Sequence, residues 1–255
     1  MSIRYEDVHA GLRQGLVIAA AVMAIALPAL EFAKHHHGAA ATPSRPVVLF
    51  AAQNRVPAAP ETLPRLDLGG TPAPSAVERV ARWAVDSRDH ASLPFAVIDK
   101  RGARLYVFDA TGRLAGATPV LLGYAAGDRS VPGIGRRPIE AVRPQERTTP
   151  AGRFVAEPGR NALHEDVIWV DYDAAVSLHR VRATNPAERR LERLASPSSK
   201  ARRISYGCIN VPVAFFDSVV WPLMGARRSV VYVLPEQLPL LTVFPAAAEG
   251  PGSIT

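Results

Sequence analysis

The spacing of apolar positions along the chain changes character twice. Val77, Val80, Ala81 and Ala84 recur at i, i+3, i+4 and i+7, one face of a helix. "SAVE" (75–78) has the form of a capping box, in which Ser75 and Glu78 satisfy each other's backbone amides. After Leu93-Pro94 the period drops to two. "FAVID" (95–99) and "RLYVFD" (104–109) read as strands joined around Arg101-Gly102, and "ATPVLLGYA" (117–125) as a third after the "DATG" turn. "GRFVAE" (152–157), "VIWVDY" (167–172), "AVSLHRV" (175–181) and "SVVYVLP" (229–235) supply further strands. Short strands joined by turns predict an antiparallel, mainly β domain with a few short helices, not βαβ units.

Two interruptions break this pattern. Residues 127–150 are rich in Pro, Gly and Arg, and an irregular segment of that length inside a compact domain is usually functional. The second, "NPAERRLERLA", predicts a helix with Asn185 as N-cap, Pro186 in the first position and Glu188 completing a box. From Arg180 to Arg203 eight basic residues stand against two acidic ones, so this insertion is either a solvated helix face or a basic lid. Beyond Leu238 the tail, 239–255, reads as disordered.

Before residue 75 the pattern is different again. Residues 15–30 carry no charge and follow Arg4 and Arg13; 16 helical residues span about 24 Å, short of a ~30 Å hydrocarbon core. Residues 1–33 therefore read as a signal peptide or membrane anchor, and the absence of a clean small-x-small site favours the anchor. Residues 34–74, dominated by Ala, Pro and Gly, read as a flexible linker. The His35–His37 tract on it lacks a fixed geometry and a fourth ligand, so no metal is expected there. The domain proper is 75–238, with a helical lead-in over 75–90.

Composition narrows function less than the N-terminus does. Net charge +7 and a pI near 10.1 suit nucleic acid, anionic lipid or an acidic envelope polymer alike. No nucleic-acid motif accompanies that charge, and aromatic content is 7%. Export to the cell envelope, with the N-terminal segment in or at the membrane, is the expectation, and no nucleic-acid partner is expected.

In an exported protein cysteines usually pair, yet Cys208 is the only one in the chain. It lies in "ISYGCIN" (204–210), after a glycine that allows a tight turn, and ahead of "VPVAFFDSVV", which reads as a helix whose positive end would favour thiolate. A base within reach would complete a nucleophile. His179, in a period-two strand, is the candidate, against the alternative that Cys208 is a small core residue and His179 a structural one.

Three ordered motifs bring a resemblance. "TTPAGRF" (148–154), "SLHR" with His179, and "SYGCIN" (205–210) resemble the L,D-transpeptidases of the YkuD type over roughly residues 94–236. The resemblance implies a β-sandwich-like catalytic domain acting on peptidoglycan stem peptides, with no cofactor and no metal. It implies Cys208 as nucleophile, His179 as general base and acid, and Gly207 and Cys208 amides as the oxyanion hole. Ser205, Tyr206 and Asn210 would shape the turn, while Thr149, Pro150 and Gly152 match a structural loop. Arg153, Arg180 and Arg203 are candidates to hold substrate carboxylates.

The chain departs from the pattern at two points. Tyr206 stands where the family box has a histidine, and the interval from His179 to Cys208, 29 positions, is longer than usual by the basic insertion. The expected activity is a 3→3 cross-link through a Cys208 thioester. The alternatives are an L,D-carboxypeptidase of the same fold or a catalytically impaired peptidoglycan-binding protein.

Overall fold

The computed structural model describes residues 64–248. The expected signal or anchor segment (1–33), the histidine tract and most of the linker lie outside the described residues. Among those described, no helix is long and apolar enough to cross a membrane.

Ten strands form among the described residues: β1 (Phe95–Asp99), β2 (Arg104–Phe108), β3 (Leu114–Pro119), β4 (Leu122–Gly123), β5 (Gly152–Arg160), β6 (Asp166–Asp171), β7 (Val176–Arg180), β8 (Arg203–Ser205), β9 (Ile209–Val211) and β10 (Ser229–Val233). Eight of them make one sheet in the order β3-β2-β1-β10-β5-β6-β7-β9, and β4 pairs with β8 apart from it. A reciprocal bridge joins Leu121, just past β3, to Asn210 in β9, each N–H donating to the other's carbonyl at 2.9 Å. That bridge ties the two ends of the sheet together, so the mainly β, sandwich-like expectation holds as one curled sheet whose halves face each other. The expected antiparallel pattern is corrected: β1–β10, β7–β9 and β4–β8 are parallel.

Alternation along the strands sorts the core into two. Ala96, Ile98, Leu105, Val107, Val231 and Val233 face inward with Leu178, Ile209 and Val211. Phe95, Val97, Tyr106, Phe108, Val230 and Tyr232 point the other way, under α1 (Ser75–Asp86), which buries Val77, Val80, Ala81 and Ala84 as its spacing predicts. Burial of apolar surface on both faces, at roughly 25 cal/mol per Å², is the main drive holding this arrangement.

Several local expectations are revised. The capping box does not form: Pro74 holds the N-cap position, its carbonyl takes the Glu78 N–H at 3.1 Å, and Ser75 is already helical. The strand expected over 117–125 splits, because the chain leaves β3 at Pro119 to bridge Asn210 and pair with β8. The segment 127–150 is built from three 3₁₀ turns instead of being structureless. Order also runs past both expected edges: Leu66 and Leu68 pack under α1, and Phe244 and Ala247 are buried against the same cluster. The tail is therefore structured through residue 248.

Candidate active site

The site is assembled on the face of β7 and β9 that turns away from the core. Val176 and Leu178 point into the core, so Ser177 and His179 point out; Ile209 and Val211 point in, so Asn210 and, by the same alternation, Cys208 point out. The parallel register sets His179 opposite Asn210 and Leu178 opposite Ile209. Period two on adjacent strands thus gathers Ser177, His179, Cys208 and Asn210.

The imidazole is oriented from one side and open on the other. His179 Nδ1 lies 2.7 Å from the Arg180 carbonyl, which can only accept, so Nδ1 carries the proton. Nε2 is left as an acceptor, faced by Asn210 Nδ2 at 3.4 Å on the face it shares with Cys208. Burial disfavours charge on both groups. Their mutual hydrogen bond and attraction outweigh it, so the His179 pKa is raised and that of Cys208 lowered. Both shifts favour thiolate and imidazolium, the state a cysteine nucleophile needs. Ser177 Oγ at 3.7 Å and the Ala175 carbonyl at 3.5 Å complete the surroundings of the sulfur.

The turn before the thiol is pinned from several sides. Ser205 Oγ donates to the Cys208 carbonyl at 2.6 Å and accepts the Gly207 N–H at 3.2 Å. Thr149 Oγ1 donates to the Gly207 carbonyl at 2.8 Å and accepts the Gly123 N–H at 2.9 Å. Gly207 has φ +134°, and a Cβ there would meet the Thr148 carbonyl oxygen at 2.8 Å, so glycine is required. The Gly207 amide, expected to donate into an oxyanion hole, is engaged by Ser205. The helix expected directly after the turn is also displaced: β9 intervenes, and helical structure begins only at Val213 beyond Pro212. The low thiol pKa therefore comes from His179 and Ser177, not from a helix end.

Tyr206 is half-buried with the Arg147 guanidinium 3.8 Å above its ring, a cation–π contact at the edge of the turn. The basic insertion reaches the site as well. Arg190, the first residue of the short helix α2 (Arg190–Ala195), donates to Asn210 Oδ1 and to Glu188. That donation fixes the Asn210 amide with its Nδ2 toward His179. Sequence reading singled out neither Arg190 nor Ser177. Alternation along β7 could have indicated Ser177, whereas nothing local marks Arg190 among the insertion's arginines.

The three arginines expected to bind substrate are otherwise occupied. Arg153 pairs with Asp89 at 2.6 Å and lies in register with Tyr232, whose hydroxyl donates to the same carboxylate, away from Cys208. Arg180 pairs with Asp217 at 2.7 Å and stacks on Phe216; only its carbonyl serves the site. Arg203 donates to the Lys100 carbonyl at 2.9 Å and pairs with Glu236. Among the described residues no group of His, Cys, Asp or Glu could hold a metal ion.

No protein-family model matches this chain, and no curated protein matches it. Solved structures similar to it include the Ldtfm–avibactam carbamoyl enzyme, at 15% identity and TM-score 0.35, covering 56% of this chain and 49% of that one. The catalytic domain of an Enterococcus faecium L,D-transpeptidase is 15% identical with TM-score 0.33, covering 55% of this chain and 96% of that one. An L,D-transpeptidase from Xylanimonas cellulosilytica is 17% identical with TM-score 0.31, over 55% of this chain and 60% of that one. Likeness at this level leaves the function to be argued from the residues.

Proposed function

We propose that this chain is a peptidoglycan-modifying cysteine transpeptidase, acting in the cell envelope after export through its N-terminal segment. The observation that carries the reading is geometric: the parallel register of β7 and β9 gathers Ser177, His179, Cys208 and Asn210 on one face, with the imidazole oriented through Nδ1 by the Arg180 carbonyl, and the opposite pKa shifts of Cys208 and His179 accord with that pairing. The motifs around both residues add the substrate class, the stem peptide.

In the proposed cycle the Cys208 thiolate attacks the carbonyl preceding the terminal D-amino acid of a tetrapeptide stem. The oxyanion meets the Cys208 N–H, since the Gly207 N–H is held by Ser205 Oγ. Imidazolium His179 gives its Nε2 proton to the leaving amine, and a thioester remains. An amine of a neighbouring stem then attacks the thioester and loses its proton to His179. The thiolate departs and the 3→3 cross-link is complete. Asn210, held by Arg190, donates its Nδ2 to Nε2 when the imidazole is neutral, and the Arg180 carbonyl on Nδ1 keeps the ring oriented through both proton transfers.

Incubation with tetrapeptide muropeptides, followed by product mass spectrometry, tests this. Cross-linked dimers lost in Cys208→Ala are expected. Tripeptide monomers alone would make water the acceptor. No turnover, and no covalent adduct with a carbapenem, would refute the enzymatic reading.

A further inference from the structure

A second cleft lies on the β4–β8 side of the domain. It encloses about 570 Å³ and none of Ser177, His179, Cys208 or Asn210 lines it. Its wall carries Lys100, Arg101, Arg193, Lys200 and Arg203 against one carboxylate, Glu236.

Two of these cations are neutralised within the protein. Lys100 is buried and donates to Asp128 at 2.7 Å and to the Thr149 carbonyl at 2.9 Å; Arg203 pairs with Glu236. The other three are not. Arg101 reaches only the Glu236 carbonyl, and Arg193 only the Glu188 and Ala201 carbonyls. Among the described residues no carboxylate lies within ion-pair distance of Arg101, Arg193 or Lys200. Three uncompensated cations around one concavity repel each other, and a ligand carrying two or more negative charges relieves that repulsion. Guanidinium forks match phosphate oxygens in pairs, and the lysine adds a point charge. The exposed Tyr124 ring at the rim offers a flat apolar surface beside the charge, suited to the carbon skeleton of a phosphate ester.

We propose that this cleft is a binding site for a multiply charged phosphate group, distinct from the candidate active site. The inference does not rest on the acyl-transfer reading. The group belongs either to a soluble phosphate or to an anionic lipid head.

Calorimetric titration of the purified full chain with pyrophosphate tests it, with succinate as the carboxylate control. Saturable binding of one pyrophosphate per chain is expected. The variant R101A/K200A should weaken it by about tenfold or more, while R79A/R82A, removing equal charge from the exposed face of α1, should leave it within about twofold. Lys200→Glu, at an exposed position, should give the same loss if the double variant fails to fold. Absence of saturable binding, equal loss in both double variants, or succinate binding as tightly would overturn the proposal. Co-sedimentation with vesicles containing phosphatidic acid, whose phosphomonoester head can carry two charges, that pyrophosphate competes away assigns the lipid head; vesicle binding that is absent or not competed assigns the soluble phosphate.

Discussion

Thr149 is fully buried and its hydroxyl joins the Gly123 N–H of β4 to the Gly207 carbonyl of the turn that carries the thiol, beside the β4–β8 pairing. Replacing it by valine keeps the shape but strands two buried groups, the Gly123 N–H and the Gly207 carbonyl. An unsatisfied buried polar group costs about 1–3 kcal/mol, so the pair should cost about 2–6 kcal/mol. For a domain of this size that is a fall in melting temperature of roughly 4–24 °C. Thr149→Ser keeps both hydrogen bonds and removes one methyl, a loss of about 1 kcal/mol. Urea unfolding of the three proteins, read as midpoints at unchanged slope, measures both costs. Iodoacetamide labelling of Cys208 should also slow at neutral pH and become steeply pH-dependent in the valine variant, because a loosened turn draws the thiol away from His179 and its pKa returns towards the ordinary thiol range. If valine were tolerated as well as serine, the hydroxyl would not be holding the turn, and the account of the site's rigidity would fail.

Other expectations concern the same region. Gly207→Ala should cost at least about 1–3 kcal/mol and suppress labelling, since φ +134° and the Thr148 oxygen both oppose a Cβ; Gly133→Ala, where a Cβ meets nothing within 4 Å, should stay near the low end of that range. NMR titration of His179 should move in opposite directions in two variants. Cys208→Ala removes the partner that raises its pKa and should lower it, whereas Arg190→Met removes a cation that lowers it and should raise it, with kcat reduced through a freed Asn210. Asp128, held by Lys100 and the amides of residues 236–238 against the opposing effect of burial, has its pKa lowered to about 2. Its contribution to stability is therefore present above the ordinary aspartate pKa and is lost as pH falls through about 2. Denaturation between pH 5 and 2 should show this slope in the wild type and not in Asp128→Asn, which should also cost up to about 3–5 kcal/mol at neutral pH by leaving buried Lys100 with only Glu236, at 3.6 Å and shared with Arg203, as counter-charge.

Much of this architecture can be read locally. Alternation in 95–99 and 104–108 anticipates which residues enter each core, and the same rule puts His179 on the face opposite Leu178. The sequence marks Cys208 and His179 as candidates by type and local setting, and the fold sets them on one face. What local pattern does not encode is partnership. Arg153 lies in the "TTPAGRF" motif, but Asp89, 64 positions away, takes its guanidinium. Arg190 resembles its neighbours in the insertion until the fold sets it against Asn210. "VPVAFFDSVV" carries a helical pattern from its first residue, yet the demand of β7 for a parallel neighbour draws residues 209–211 into the sheet. Phe244 and its apolar neighbours Leu240 and Val243 show no long periodic run, and what buries them is distant in sequence: the contacts come from α1 and β10.

The strand order has a bearing on how the chain comes to be folded. β3-β2-β1 and β5-β6-β7-β9 share no ladder except through β10, the last strand in chain order, which must slot between Phe95–Ile98 and Gly152–Ala156. Contacts joining residues 95 and 230 close a long loop, a topology that folds slowly. Until that closing strand inserts, the half that carries Cys208 and His179 lacks its central support. Insertion of β10 thus sets when that face is braced, and the two side chains are brought together late in folding.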